Sequence, residues 1–246
     1  MLLPMVRPPA GFRRLLLPIA ALVLLTACDS TFGAPEGATE QGREISSLYR
    51  FLFWMAIGVG ATVYGLILWS VFRYRRRSDD LPPQFRENIP LEILYTVIPI
   101  ALVVVIAVAT FRTEDRVDTL DPDPDVTVVV TGFQWQWRFE YPEHGIDVVG
   151  SPEQAPTVVV PADRTIRVEL RATDVIHSFY VPEFLFKRDA IPGEENSFDL
   201  VVPEAGTYYG ECAEYCGLDH VDMVFWIRAV PQSDFDRWVA EQQGAG

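Results

Sequence analysis

Residues that build redox and metal sites are scarce in this chain. Its 246 residues include three cysteines and three histidines. Three cysteines cannot all pair, which argues against a disulfide framework as the source of stability. No Cys-x-x-Cys-His run occurs, which excludes a covalently attached c-type haem. Positive charge is also short: 20 Lys and Arg stand against 34 Asp and Glu, a formal net charge of −14. An acidic surface repels a phosphate backbone, so no nucleic-acid partner is expected. No internal repeat is present.

Apolar sequence is abundant. The chain is 49% hydrophobic with a mean hydropathy of +0.14, high for so acidic a protein. The two properties are segregated. Residues 1–112 carry 11 basic and 8 acidic side chains, whereas residues 113–246 carry 9 and 26. Arg13 and Arg14 precede an apolar run at 15–25, too short for a bilayer core, which takes about 20 helical residues. That run fits a secretory signal over 1–27. Its end, Leu25-Thr26-Ala27-Cys28, resembles a bacterial lipobox, which implies cleavage before Cys28 and its lipidation. Residues 28–47 read as a linker. Two long apolar runs follow, at 48–72 and 91–111, the length of membrane spans, and define a transmembrane helical hairpin over 48–112. Trp54, Tyr64, Trp69 and Tyr74 supply interfacial aromatics, and Ala61 and Gly65 form a small face for helix packing. Arg73, Arg75, Arg76, Arg77 and Arg86 lie between the spans, marking that loop as cytoplasmic. Residues 113–246 then lie outside.

The acidic half begins with the stiff connector Asp121-Pro122-Asp123-Pro124-Asp125. Strand-like stretches follow at 126–141, 157–160, 165–171, 197–202, 207–209 and 223–230, separated by Pro and Gly. Short strands so punctuated predict an all-β sandwich or barrel over 113–231. A last helix is expected from Ser233, with Asp236 three residues on, in a C-terminal segment 232–246.

The chemistry concentrates in Cys212-Ala213-Glu214-Tyr215-Cys216-Gly217-Leu218-Asp219-His220-Val221-Asp222-Met223. Two thiols, an imidazole and a thioether fall within one loop, and His177 follows an earlier strand. A distant His plus a ligand-rich loop between two late strands is the cupredoxin arrangement. Thiolate and thioether are soft donors that suit copper. Zinc rarely takes Met, and a Cys212–Cys216 disulfide would leave His220 and Met223 without a purpose. A mononuclear blue-copper site needs one Cys. The second Cys, four residues on, allows two thiolates to bridge two copper ions.

The loop resembles the pattern Cys-x-Glu-x-Cys-x-x-x-His-x-x-Met of subunit II of the haem–copper cytochrome c oxidases. Lys187-Arg188-Asp189-Ala190-Ile191-Pro192-Gly193 is similar to that family's Lys-x-Asp-Ala-Ile-Pro-Gly, and Glu92-Ile93-Leu94-Tyr95-Thr96-Val97-Ile98-Pro99 to its Glu-x-x-Trp-Thr-x-x-Pro. The resemblance implies a two-helix membrane hairpin followed by a cupredoxin-like β-sandwich. It also implies a two-copper centre held by His177, Cys212, Cys216, His220, Met223 and the Glu214 carbonyl. The Glu214 carboxylate is expected on a magnesium ion shared with subunit I. Trp135, in the aromatic run 132–141, is the expected electron entry, and Glu92 the mouth of a proton channel. Asp174, Glu140, Asp219 and Asp222 are expected to steer a basic donor, cytochrome c or a similar protein. Subunits I and III are the implied partners, in a bacterial cytoplasmic membrane with the sandwich on its periplasmic face. Phe133, Tyr95 and Phe179 depart from the family's usual residues without removing a ligand. A quinol oxidase subunit would lack the copper ligands. A membrane-tethered copper carrier is the alternative, and it would not need Trp135 or Glu92.

Overall fold

A computed structural model describes residues 36–76, 84–151 and 153–244. The expected signal segment, the Cys28 lipidation site and Arg77 of the basic loop lie outside the described residues. Helix α1 spans Glu40–Arg73 and helix α2 Ile89–Asp118. Both are apolar enough to cross a membrane, and the hydrophobic windows that qualify them are unburied. Each outlasts its apolar run. The first begins at Glu40 rather than at the end of the expected linker, because Thr39 caps it: its hydroxyl accepts from the Gly42 N–H at 2.9 Å. At about 1.5 Å per residue, both helices are longer than the roughly 30 Å hydrocarbon core, so their ends project from it. The projecting ends are joined by Arg116–Glu44 at 2.9 Å.

Ten strands follow: β1 Val126–Phe133, β2 Gln136–Tyr141, β3 Ile146–Val149, β4 Thr157–Pro161, β5 Thr165–Ala172, β6 His177–Val181, β7 Phe186–Ala190, β8 Asn196–Val201, β9 Gly206–Cys212 and β10 Val224–Val230. They form two five-stranded sheets, ordered β3-β2-β1-β5-β8 and β4-β10-β9-β6-β7. The expected stretch 126–141 is two antiparallel strands, β1 and β2, that reverse at Gln134 and Trp135. Strands β3, β6 and β7 were not anticipated. Strands β3 and β7 are sheet edges, and β7 carries Lys187-Arg188-Asp189, the charge that protects an exposed edge but hides a strand from an apolar pattern.

The sheets bury one core. Alternation along β2 turns Trp137, Phe139 and Tyr141 inward, each with no exposed surface, while Arg138 and Glu140 face out. Phe225 of β10 sits among these rings, 5.5 Å from Trp137, 5.5 Å from Phe139 and 4.8 Å from Phe179. Helix α3, Gln232–Gly244, closes one side with Trp238 5.1 Å from Tyr141. It starts one residue before Ser233. The Pro231 carbonyl accepts the Asp234 and Phe235 N–H groups, so Ser233 lies within the first turn instead of capping it.

The hairpin is tied to the sandwich at several points. Val201 N–H donates to Gln41 Oε1 at 3.1 Å, and Ala38 N–H donates to the Glu183 carbonyl at 2.8 Å. Arg188 of β7 pairs with Asp118, the last residue of α2. The buried Asp199 pairs with Arg167 and accepts the Asp121 N–H at 2.6 Å, which pins the connector to the sheet. Phe225→Ala is expected to cost about 3–5 kcal/mol through loss of apolar contact and the cavity left behind. Urea unfolding of the detergent-solubilised chain measures it, and an unshifted midpoint would show that Phe225 is not central to this core.

Candidate metal centre

Strand ends place the donors. His177 opens β6 and is fully buried, paired in register with Ala190 of β7. A Cβ on Gly132 of β1 would lie 3.0 Å from His177 Cδ2, so glycine there leaves room for the imidazole. Cys212 is the last residue of β9, and Met223 immediately precedes β10. The Cys212 N–H donates to the Met223 carbonyl at 3.0 Å, closing the loop between them. The Trp137 indole N–H reaches the same carbonyl at 3.3 Å and ties the loop to the core. A 3₁₀ turn, His220–Asp222, brings the second imidazole back over the sulfurs.

The side chains converge. Cys212 Sγ and Cys216 Sγ lie 3.9 Å apart as free, buried thiols, whereas a disulfide requires about 2.05 Å. His177 Nδ1 is 3.9 Å from Cys212 Sγ, and His220 Nδ1 is 3.6 Å from Cys216 Sγ. Met223 Sδ lies 3.8 Å from Cys216 Sγ, and the Cys212 thiol donates to the Glu214 carbonyl at 3.2 Å. The ligand atoms of His177, Cys212 and Cys216 all lie within 4.8 Å of one another. The donor set is soft, which fits copper. A metal–thiolate bond of about 2.3 Å exceeds half the sulfur separation. Both sulfurs would therefore lie within reach of a single bound ion.

The protonation pattern follows from burial and neighbours. Burial disfavours the Cys212 thiolate, but hydrogen bonding with His177, the Ser178 and Glu214 backbone and His220 outweighs it and brings the thiol down to about 7. Burial, reinforced by the charge on Cys212, pushes Cys216 up to about 12. Burial also works against a charged His177, yet Cys212 and Asp174 raise its pKa above the ordinary value.

The expected docking residues do not form one group. Asp174 points inward: its Oδ1 meets His177 Nε2 at 2.8 Å, and its Oδ2 accepts the Gln134 N–H at 2.6 Å. Burial disfavours its charge, but these bonds win and its pKa falls below the usual carboxylate value. With Nε2 engaged, His177 is left with Nδ1 toward the sulfurs. Glu140 lies along β2 with Arg138 Nε 3.8 Å from its Oε1 and is not among the residues lining the groove beside the loop. Asp219 and Asp222 do line that open groove of about 840 Å³, together with Trp135, Phe133, Val221 and Glu153. The half-buried Trp135 donates its indole N–H to the Cys216 carbonyl at 3.2 Å. Glu214 exposes its carboxylate, and among the described residues no other hard-oxygen cluster gathers around it. Glu92, far from the loop in sequence, caps α2: its Oε1 accepts the Asn88 N–H at 3.2 Å.

Residues 27–113 match the family model for the transmembrane domain of cytochrome c oxidase subunit II, and residues 147–230 match that for its periplasmic domain. A Streptomyces coelicolor protein named "Probable cytochrome c oxidase subunit 2" is 36% identical over 89% of this chain and 83% of its own. The chain belongs to the cytochrome c oxidase subunit II family. Cytochrome c oxidase subunit 2 of Corynebacterium glutamicum is 31% identical over 85% of this chain and 75% of its own. The solved periplasmic domain of subunit II of the Bradyrhizobium japonicum cytochrome oxidase is 36% identical, with a TM-score of 0.47, and covers 51% of this chain and 99% of that one. As a subunit II, the chain is a membrane protein with a periplasmic domain and part of an oxidoreductase complex. Its His177–Cys212–Cys216 cluster fits copper.

Gly217 permits the closest approach at the site. It has φ +130°, and a Cβ there would lie 2.9 Å from Trp135 Nε1. Gly217→Ala is expected to strain the loop by roughly 1–3 kcal/mol. Chymotryptic cleavage after Tyr215 or Leu218 should then accelerate by about 5- to 150-fold, because proteolysis tracks the open population. Equal cleavage rates in both proteins would show that the turn accommodates a side chain.

Proposed function

We propose that this chain is the electron-entry subunit of a cytochrome c oxidase. In this reading a two-copper centre receives electrons from cytochrome c or a similar basic donor. They then pass to a haem–copper subunit I, where oxygen is reduced to water with coupled proton movement. The observation that carries the reading is the pair of free thiols 3.9 Å apart, flanked by two imidazoles and a thioether. His177, Cys212, Cys216, His220 and Met223 would hold the ions through side chains, and Glu214 through its carbonyl. When bound, the copper pair supplies a one-electron acceptor and donor. The protein's part is to fix the donors so that little moves as charge changes. The sandwich meets that need, since His177, Cys212, Cys216 and Met223 are all buried against its core.

Trp135 is the proposed entry point. Its ring borders the groove, and its N–H contacts the peptide of Cys216. Asp219 and Asp222, at the same groove, would steer a basic partner. Glu214 would offer its exposed carboxylate to a magnesium ion completed by subunit I, since magnesium takes hard oxygen ligands. Glu92 would admit protons from the cytoplasmic side. Cys28 would carry a lipid anchor, subunit III would complete the assembly, and the complex would sit in the bacterial cytoplasmic membrane. A tethered copper carrier fits less well, because a carrier must hand on its ion and four of these donors are buried.

Copper analysis with electron paramagnetic resonance on the assembled complex is the direct test. Two coppers in this chain sharing one unpaired electron are expected; one copper, or none, overturns the reading. Donor association should slow as ionic strength rises past the point where the Debye length is about 8 Å, and Asp219→Asn with Asp222→Asn should flatten that dependence. A rate indifferent to salt removes the steering role. Glu92→Gln retains an acceptor for the Asn88 N–H, so the helix cap survives the change. Slower turnover and proton uptake are expected from it, and unchanged values would leave Glu92 as a cap alone.

A further inference from the structure

The strongest unassigned feature is a residue that ligates nothing yet is bound to both sides of the copper site. Gln134 sits at the β1–β2 reversal. Its backbone N–H donates to Asp174 Oδ2 at 2.6 Å, and the other oxygen of that carboxylate meets His177 Nε2 at 2.8 Å. Its side-chain Nε2 donates to the Cys216 carbonyl at 2.7 Å, the oxygen that also takes the Trp135 N–H. One residue therefore links the imidazole on β6 to the second thiol of the β9–β10 loop. Glycine at 217 makes this possible, since a Cβ there would stand 3.1 Å from Gln134 Nε2.

The Gln134 side chain contributes nothing to the core. It is exposed, and no apolar cluster includes it. Its contribution is one hydrogen bond, to the Cys216 carbonyl, which adds to the bond that the Gln134 backbone N–H gives Asp174. The loop it braces has little other cover, for Tyr215, Leu218 and Val221 are 77%, 87% and 77% exposed. Apart from the buried Cys216, the loop's side chains gain little from burial, so the hydrogen bonds at its base help to set its position. Outer hydrogen bonds of this kind orient metal ligands and tune the ion they hold.

We propose that Gln134 is a positioning residue, a clamp that couples the His177 and Cys216 sides of the centre so that they hold one geometry together. The proposal rests on the copper reading for its functional consequence, but the coupling itself is a property of the chain. Gln134→Leu keeps the size of the side chain and removes the donor. Gln134→Lys keeps an N–H donor of comparable reach.

Hydrogen–deuterium exchange of the complete, copper-free chain in detergent tests the coupling without any metal. In Gln134→Leu, exchange should accelerate across 213–222 and also across 174–177, while β1 and β5 keep their protection; Gln134→Lys should restore both loops. Acceleration confined to 213–222, loss of protection in the strands as well, or failure of Gln134→Lys to differ from Gln134→Leu would each overturn the clamp. In the assembled complex, Gln134→Leu should weaken copper affinity by about 10-fold or more and change the copper hyperfine splitting and reduction potential. Identical affinity, splitting and potential would remove the functional consequence. An unaltered chain that holds no copper would sink the copper reading alone, because the exchange measurement judges the clamp independently.

Discussion

Two thiols held side by side in a buried pocket are the constraint on which the rest of this structure depends. Burial penalises a thiolate, and a second thiolate beside the first is penalised again. The two sulfurs therefore separate in acidity, Cys212 toward about 7 and Cys216 toward about 12. A bound cation would remove the conflict, because binding a metal and releasing the thiol protons are one equilibrium. A pair so arranged is unfavourable for a structural core and suitable for a metal. The surrounding packing and hydrogen bonds place the two sulfurs 3.9 Å apart.

The support comes from ordinary packing. The inward alternation of β2 that buries Trp137 also aims its indole N–H at the Met223 carbonyl, and its ring lies 6.1 Å from the His177 ring. One core residue thus touches both ligand segments. Two glycines work in the opposite sense, through what they leave out: Gly132 makes space for the imidazole, and Gly217 for Trp135 and Gln134. The same logic extends to the membrane end. Arg188 and Asp118 join β7 to α2, and β7 pairs with the strand that begins at His177. The hydrogen bonds at Gln41 and Ala38 join the α1 end to β8 and to the turn after β6. The helical hairpin is therefore fastened to both sheets, to one of them through the strand pair that carries His177.

Much of this was legible in the residues, for identifiable reasons. The apolar runs gave the helices, and the alternation of 165–171 gave β5, because period and length are local properties. The candidate metal loop was legible because its spacing is itself local, Cys to Cys to His to Met. Long-range consequences were not. The first helix extends back to Glu40 because Thr39 caps it and Gly42 and Ser46 pack out of solvent, neither of which an apolar count detects. Strands β3 and β7 were hidden by their position at sheet edges. Asp174 read as surface charge because its reach to His177 depends on the turn between them. Glu92 read as the mouth of a proton channel, and its bond to the Asn88 N–H at the start of α2 appears only in the folded chain. Nothing in the sequence could reveal Gln134, since both of its partners are distant along the chain.

The centre is also lopsided, and the asymmetry bears on how such a subunit works within an assembly. His177 is sealed within the sandwich with Asp174 beside it, while His220 is partly exposed on a loop edged by Tyr215 and Leu218. Exposed large apolar side chains set beside polar ones mark surfaces that await a partner. Trp135 and the acidic groove occupy another border of the same loop. A relay needs two such borders, since an electron that enters and leaves through one contact would require the donor to depart before the acceptor could bind. Rigid burial on the His177 side and separate exposed borders elsewhere satisfy that need with one short loop. The geometry of the ligands is thereby decoupled from the comings and goings of partners.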